Sequence, residues 1–215
     1  MEGNRLKHSD SERDLGVIIS SSGKPSEQCL AAAKKANRML GLIKRNFKSR
    51  SKDVVVRLYK TLVRPRLEYC VQSWCPYLQK DIAVLEKVQR RATKMILACR
   101  TDSYEDRLKY TELTSLECRR RRGDMIEVFK LLNGVEKIDY NILIQRAEKT
   151  GRRGHSYKLV KHRARLDLRK FYFSNRVVNT WNSLPESVVV AGTVNSFKAR
   201  LDAYIRAKGS GWFVR

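Results

Sequence analysis

The chain has 215 residues, enough for one large or two small domains with a buried core. An apolar fraction of 42% excludes a disordered tail, and 46 Lys plus Arg against 22 Asp plus Glu leave a formal net charge of +24. A compact chain so charged repels itself until a polyanion neutralises it, and the usual polyanion is nucleic acid.

Residues 14–20, DLGVIIS, read as one strand. Ser20 to Pro25 form a turn, and Pro25 suits the first turn of a helix. From there to about Phe47 the spacing is helical. Cys29, Ala33, Ala36, Leu40, Ile43 and Phe47 share one face, and Lys34, Arg38, Arg45 and Lys48 share the opposite one. A second helix is predicted over 52–75, with Val55, Leu58, Leu62 and Tyr69 inward and Pro65 kinking or splitting it. A third spans 80–99. Its inward residues are Ile82, Leu85, Ala92, Ile96 and Cys99, while Lys80, Lys87, Arg91 and Lys94 cluster on another face.

A short helix is expected over 103–110. Thr114 and Glu117 have the spacing of a capping box for a helix that runs to Leu132 and stops at Asn133-Gly134. Residues 119–122 are four arginines, which cover most of a helical turn and cannot all face one partner. Residues 135–153 read as a linker. The stretch 144–170 holds ten Lys or Arg against Glu148 and Asp167. A short strand is expected at 155–162, then a helix at about 169–182, a break at Pro185, and a last helix from Val194 to about Ala207 with Phe197, Leu201 and Ile205 on one face. Residues 208–215 read as a frayed tail.

Catalytic chemistry is sparse. Two-metal phosphoryl transfer needs converging carboxylates, and the chain has no adjacent Asp pair. Asp102, Glu105 and Asp106 fit the capping and solubilising of a short helix better. There is no Walker loop or GxGxxG, and three scattered histidines give no triad. The five cysteines, at 29, 70, 75, 99 and 118, offer no zinc-ligand spacing with a histidine and read as reduced thiols of an intracellular protein, in cytoplasm or nucleus. No metal or cofactor is expected. No apolar run is long enough for a membrane span, and the amino-terminal residues lack the pattern of a secretory signal. What remains is binding. The basic faces suit phosphates, and Tyr59, Tyr69, Tyr77, Tyr104 and Trp74 could stack on bases, although aromatics at helical spacing are mostly core.

The ordered series DLGV, LGLIKRNF, LYKTLVRPRLEYCVQSWCPY, LEKVQRRATKMIL, then RLKYTELTSLECRRRRGDMIEVFKLLNG and FSNRVVNTWNSLPESVV, resembles the carboxy-terminal part of reverse transcriptases of non-LTR retrotransposons, of the jockey-like LINE type. The resemblance runs from about Asp14 to Ile205. It implies a mainly α protein: an end-of-palm remnant with a short strand (1–23), a helical thumb-like domain (24–134), a linker (135–153) and a smaller carboxy-terminal region (154–207). Leu15, Gly16 and Val17 would match the family's motif near the primer end. It implies as partners RNA, DNA or an RNA/DNA hybrid held through backbone phosphates, together with the missing palm and fingers of the parent polymerase. The contacts would come from Lys34, Arg38, Arg45 and Lys48 on the first helix, and Lys87, Arg91 and Lys94 on the third. The expected function is that of a catalytically incomplete polymerase tail. The alternatives are a protein-interaction or RNA-tethering module, or a truncated product without a function of its own.

Overall fold

A computed structural model describes residues 9–147 and 154–209. The protein is mainly α-helical, with one short two-stranded antiparallel sheet near the amino terminus. It divides into two compact units between Leu116 and Glu117. The expected boundary at 134 therefore lies one helix too late. The helix before it, α7 (Leu116–Leu132), buries Met125, Val128, Phe129 and Leu131 in the core of the second unit.

The first unit opens with a hairpin rather than the single predicted strand. β1 (Ser11–Asp14) pairs with β2 (Val17–Ser20), and Leu15-Gly16 is the two-residue turn. Both turn residues have positive φ, 44° and 86°, as a type I′ two-residue turn requires. α1 (Ser26–Asn46) buries Cys29, Ala32, Ala33, Ala36, Leu40 and Ile43, as its periodicity requires. Phe47 has left the helix and is exposed. Arg50 closes the helix end, donating from Nη2 to the Lys44 carbonyl and from Nη1 to the Phe47 carbonyl, each at 2.7 Å.

The second predicted helix is a broken rod: α2 (Lys52–Leu58), a π turn (Tyr59–Val63), α3 (Arg64–Glu68) and α4 (Val71–Trp74). Pro65 has no N–H to give the preceding turn. The π turn widens there, and the Arg64 N–H reaches the Tyr59 carbonyl five residues back. That extra residue rotates the buried face. Tyr59, Val63, Leu67 and Val71 are enclosed, whereas Leu62 and Tyr69, expected inside, are exposed. The rod bends sharply at Cys70, whose φ is 49°.

α5 (Gln79–Thr93) packs on α1 and buries Leu85, Val88 and Ala92; Ile96 and Cys99 are enclosed beyond its end. α6 (Tyr104–Thr111) is capped by the Ser103 hydroxyl, which accepts from the Asp106 N–H, and Glu105 and Asp106 occupy its first turn. The Leu116 N–H at the head of α7 donates to Glu86 Oε2 at 3.1 Å. Glu117 pairs with Arg121 at 3.0 Å along the same helix.

In the second unit α7 ends in a Schellman turn. Val135 N–H donates to the Lys130 carbonyl and Gly134 N–H to that of Leu131, with Gly134 at φ 65°. The described part of the predicted linker, 135–147, belongs to this unit: Ile144 is buried, and Arg146 bridges to Leu159. That bridge is all that forms of the expected 155–162 strand. α8 (Asp167–Lys170) and α9 (Phe173–Asn182) replace the single helix expected at 169–182. α10 (Glu186–Val189) follows Pro185, and α11 (Val194–Lys208) buries Phe197 and Leu201. Phe129 and Phe197 stack with ring centroids 4.3 Å apart at the centre of this core. Expectations for the first eight residues, for 148–153 and for the tail beyond Gly209 lie outside the described residues.

Candidate nucleic-acid interface

The predicted basic residues are all exposed: Lys34, Arg38, Arg45 and Lys48 around α1, and Lys87, Arg91 and Lys94 around α5. They do not form one surface. Lys34, Arg38 and Arg45 point away from the core on the outer face of α1, and Lys48 lies just beyond its end. The concave surface lies to one side, between α1 and the carboxy-terminal half of α5.

That groove encloses about 610 Å³. From α1 it takes Asn37, Leu40, Gly41 and Lys44. Arg50 comes from the following turn, and Arg91, Lys94, Met95, Leu97 and Arg100 from α5 and beyond. Its lining contains no carboxylate. Arg91 is fixed across it, donating to Asn37 Oδ1 at 3.1 Å. Gly41 is an exposed position of its α1 wall, where a Cβ would meet nothing within 4 Å. Lys34 stands two turns before Gly41 on nearly the same line of α1, about 20° away around the axis, and so flanks the groove.

A second concavity of about 530 Å³ lies on the other side of Arg91, Lys94 and Arg100, which line both. It adds Lys87, Arg90, Thr101, Asp102, Tyr104 and Arg107. Together the two concavities gather Lys44, Arg50, Lys87, Arg90, Arg91, Lys94, Arg100 and Arg107 against Asp102 alone.

Of the predicted contacts, then, the fold brings Lys87, Arg91 and Lys94 to the concave surface. It leaves Lys34, Arg38 and Arg45 on the flank or outer face of α1 and Lys48 beyond its end. Lys44, Arg50, Arg90, Arg100 and Arg107 were missed, because periodicity finds the face opposite a helix's own core and a groove between helices uses their sides. The run Arg90-Arg91 followed by Lys94 and Arg100 was the available signal.

The aromatic candidates are mostly structural. Tyr59 is enclosed and donates to Gln89 Oε1 at 2.7 Å. Burial pushes its phenol well above the usual range, as it does that of Tyr104. Trp74 is buried and donates to the Tyr69 carbonyl at 2.8 Å. Tyr77 is half-buried. Tyr69 is exposed but committed to the hairpin, its hydroxyl donating to the Leu15 carbonyl at 2.9 Å.

Of the four arginines at 119–122, the last three serve the second unit's own structure. Arg120 is buried, Arg121 pairs with Glu117, and Arg122 grips Asp202 of α11 with two bonds of 2.5 and 2.8 Å. Among the described residues, no three His, Cys, Asp or Glu side chains converge in a way that could hold a metal ion, and no helix is long and apolar enough to cross a membrane.

Comparison of the chain with protein-family models, curated proteins and solved structures finds no match.

Proposed function

We propose that the first unit is a thumb-like grip for a template–primer duplex, of the kind found in LINE-type RNA-directed DNA polymerases, and that the chain has no polymerase activity of its own. The observation that carries this reading is the carboxylate-free groove between α1 and α5, whose five cations come from two packed helices and the turns after them. A thumb must hold a duplex yet let it slide. Phosphate contacts do that, since they position the backbone without reading bases. The outer stripe of Lys34, Arg38, Arg45 and Lys48 adds long-range attraction that speeds encounter.

The test is equilibrium binding of the full chain to an RNA/DNA hybrid, a DNA duplex and single strands at one salt concentration. Lys44→Gln with Arg91→Gln and Lys94→Gln weakens all of them by a similar factor, whatever their sequence. A variant that loses one sequence only, or deoxynucleotide incorporation by the purified chain, contradicts the proposal.

A protein-interaction reading has one observation in its favour. Leu15 and Ile19 of the hairpin are 84% and 55% exposed, an apolar pair that another protein domain could cover. Leu15→Ser with Ile19→Thr separates the two readings. Under the first it leaves hybrid binding intact; under the second it removes the chain's attachment to its protein partner while the groove variant does not.

A further inference from the structure

We infer that the pocket beside α5 floored by Arg107 binds a compact cluster of phosphate groups, a di- or triphosphate, either free or at the 5′ end of a nucleic acid.

Arg107 is only 3% exposed yet lines this pocket. Its Nε donates to Thr93 Oγ1 at 3.1 Å and its Nη1 to the Asp102 carbonyl. Both acceptors are neutral, and none of the ion pairs among the described residues involves Arg107. A buried guanidinium without a counter-charge is costly. Its neighbours worsen the imbalance, because Lys87, Arg90, Lys94 and Arg100 line the same pocket and only the Asp102 carboxylate opposes them. An anion seated there relieves the repulsion of all at once.

The pocket is also rigid where it needs to be. The Arg90 guanidinium lies over the Tyr104 ring, 4.2 Å from its centroid. Tyr104 is itself fixed, its hydroxyl accepting from Gln89 Nε2 at 2.9 Å and donating to Glu86. Two forked guanidiniums, one buried and one stacked, suit the several oxygens of adjacent phosphates. Backbone phosphodiesters carry single charges spaced along a strand. A triphosphate concentrates its charge on neighbouring phosphorus atoms, as this pocket of about 530 Å³ concentrates its cations. The inference does not need the duplex grip, since Arg90 and Arg107 do not line the α1–α5 groove.

The experiment is calorimetric titration of the full chain with inorganic triphosphate at fixed ionic strength, using sulfate of equal charge concentration as reference. Triphosphate binds at one equivalent and more tightly than sulfate. Arg90→Gln, at an exposed position, weakens it about tenfold, the loss expected for a charge-assisted pair. Arg107→Gln weakens it at least as much, and if that variant proves unfolded by circular dichroism, Arg90→Gln decides alone. Triphosphate no better than sulfate, or Arg90→Gln binding like wild type, overturns the proposal. Competition then identifies the source. RNA with a 5′-triphosphate displacing the probe better than its 5′-hydroxyl twin places the cluster at an RNA end, and a nucleoside triphosphate doing so equally well makes it free. Equal competition by the 5′-hydroxyl RNA refutes a clustered-phosphate site. A hybrid lacking terminal phosphates that binds normally while triphosphate does not would sink this inference and leave the duplex grip standing.

Discussion

Gln89 has no exposed surface and answers to several partners. It accepts from Tyr59 and donates to the Tyr104 hydroxyl and, at 3.0 Å, to the Thr114 carbonyl. Gln89→Leu fills similar space but strands those groups, so it destabilises the first unit by about 1–3 kcal/mol per orphaned group; denaturant unfolding measures it. His155 poses a different question. Tyr157 N–H donates to its Nδ1 at 3.2 Å, which leaves Nε2 as the donor to the Trp181 carbonyl at 2.9 Å. Burial holds its pKa below the ordinary value. The unfolded chain therefore takes up the proton first as pH falls. The stability contributed by neutral His155 is complete above about pH 6.5 and is lost below it, as pH descends toward the lowered native value. His155→Gln should flatten the fall in melting temperature between about pH 7.5 and 5.5; an unchanged slope would show that folding does not alter the proton affinity of this imidazole. Neither role was legible in the sequence. A polar residue on an apolar face says nothing of which distant groups it will satisfy, and a lone histidine gives no partner.

At the scale of elements, the helices were legible where one face carries the burial. The periodicity over α1 names Cys29, Ala33, Ala36, Leu40 and Ile43, all buried, and the Asn133-Gly134 stop is realised as a Schellman turn. Two features were not. The hairpin was hidden because Leu15, not Asn or Asp, takes the first left-handed turn position. The π turn before Pro65 shifts register by one residue, which a fixed 100° step cannot anticipate. Gly41 and Gly123 lie within helices, with open space where a Cβ would stand. Replacing either with Ala stabilises the protein by about 0.5–1 kcal/mol, seen as a raised denaturation midpoint. In the second unit Arg176 holds Asp124 with two 2.9 Å bonds, the pair largely out of solvent. Asp124→Ala removes the carboxylate that faces this largely buried guanidinium and costs about 3–5 kcal/mol. A loss below about 1 kcal/mol in chemical denaturation would mean that water already reaches the pair.

For the whole molecule, the net charge of +24 was readable at once. Its placement was not. Side positions on two helices and the turns after them make the groove, and only Lys87, Arg91 and Lys94 among the predicted contacts line either concavity. Periodicity assigns each helix a core side and a solvent side; packing decides which flank becomes concave. The duplex grip is tested most directly by the salt dependence of hybrid binding. The logarithm of affinity against the logarithm of salt has a slope set by the number of phosphates neutralised. Lys44→Gln with Arg91→Gln and Lys94→Gln should make that slope shallower by about 3, while the folded chain keeps its circular dichroism. A variant that binds the hybrid with the wild-type slope would contradict the grip.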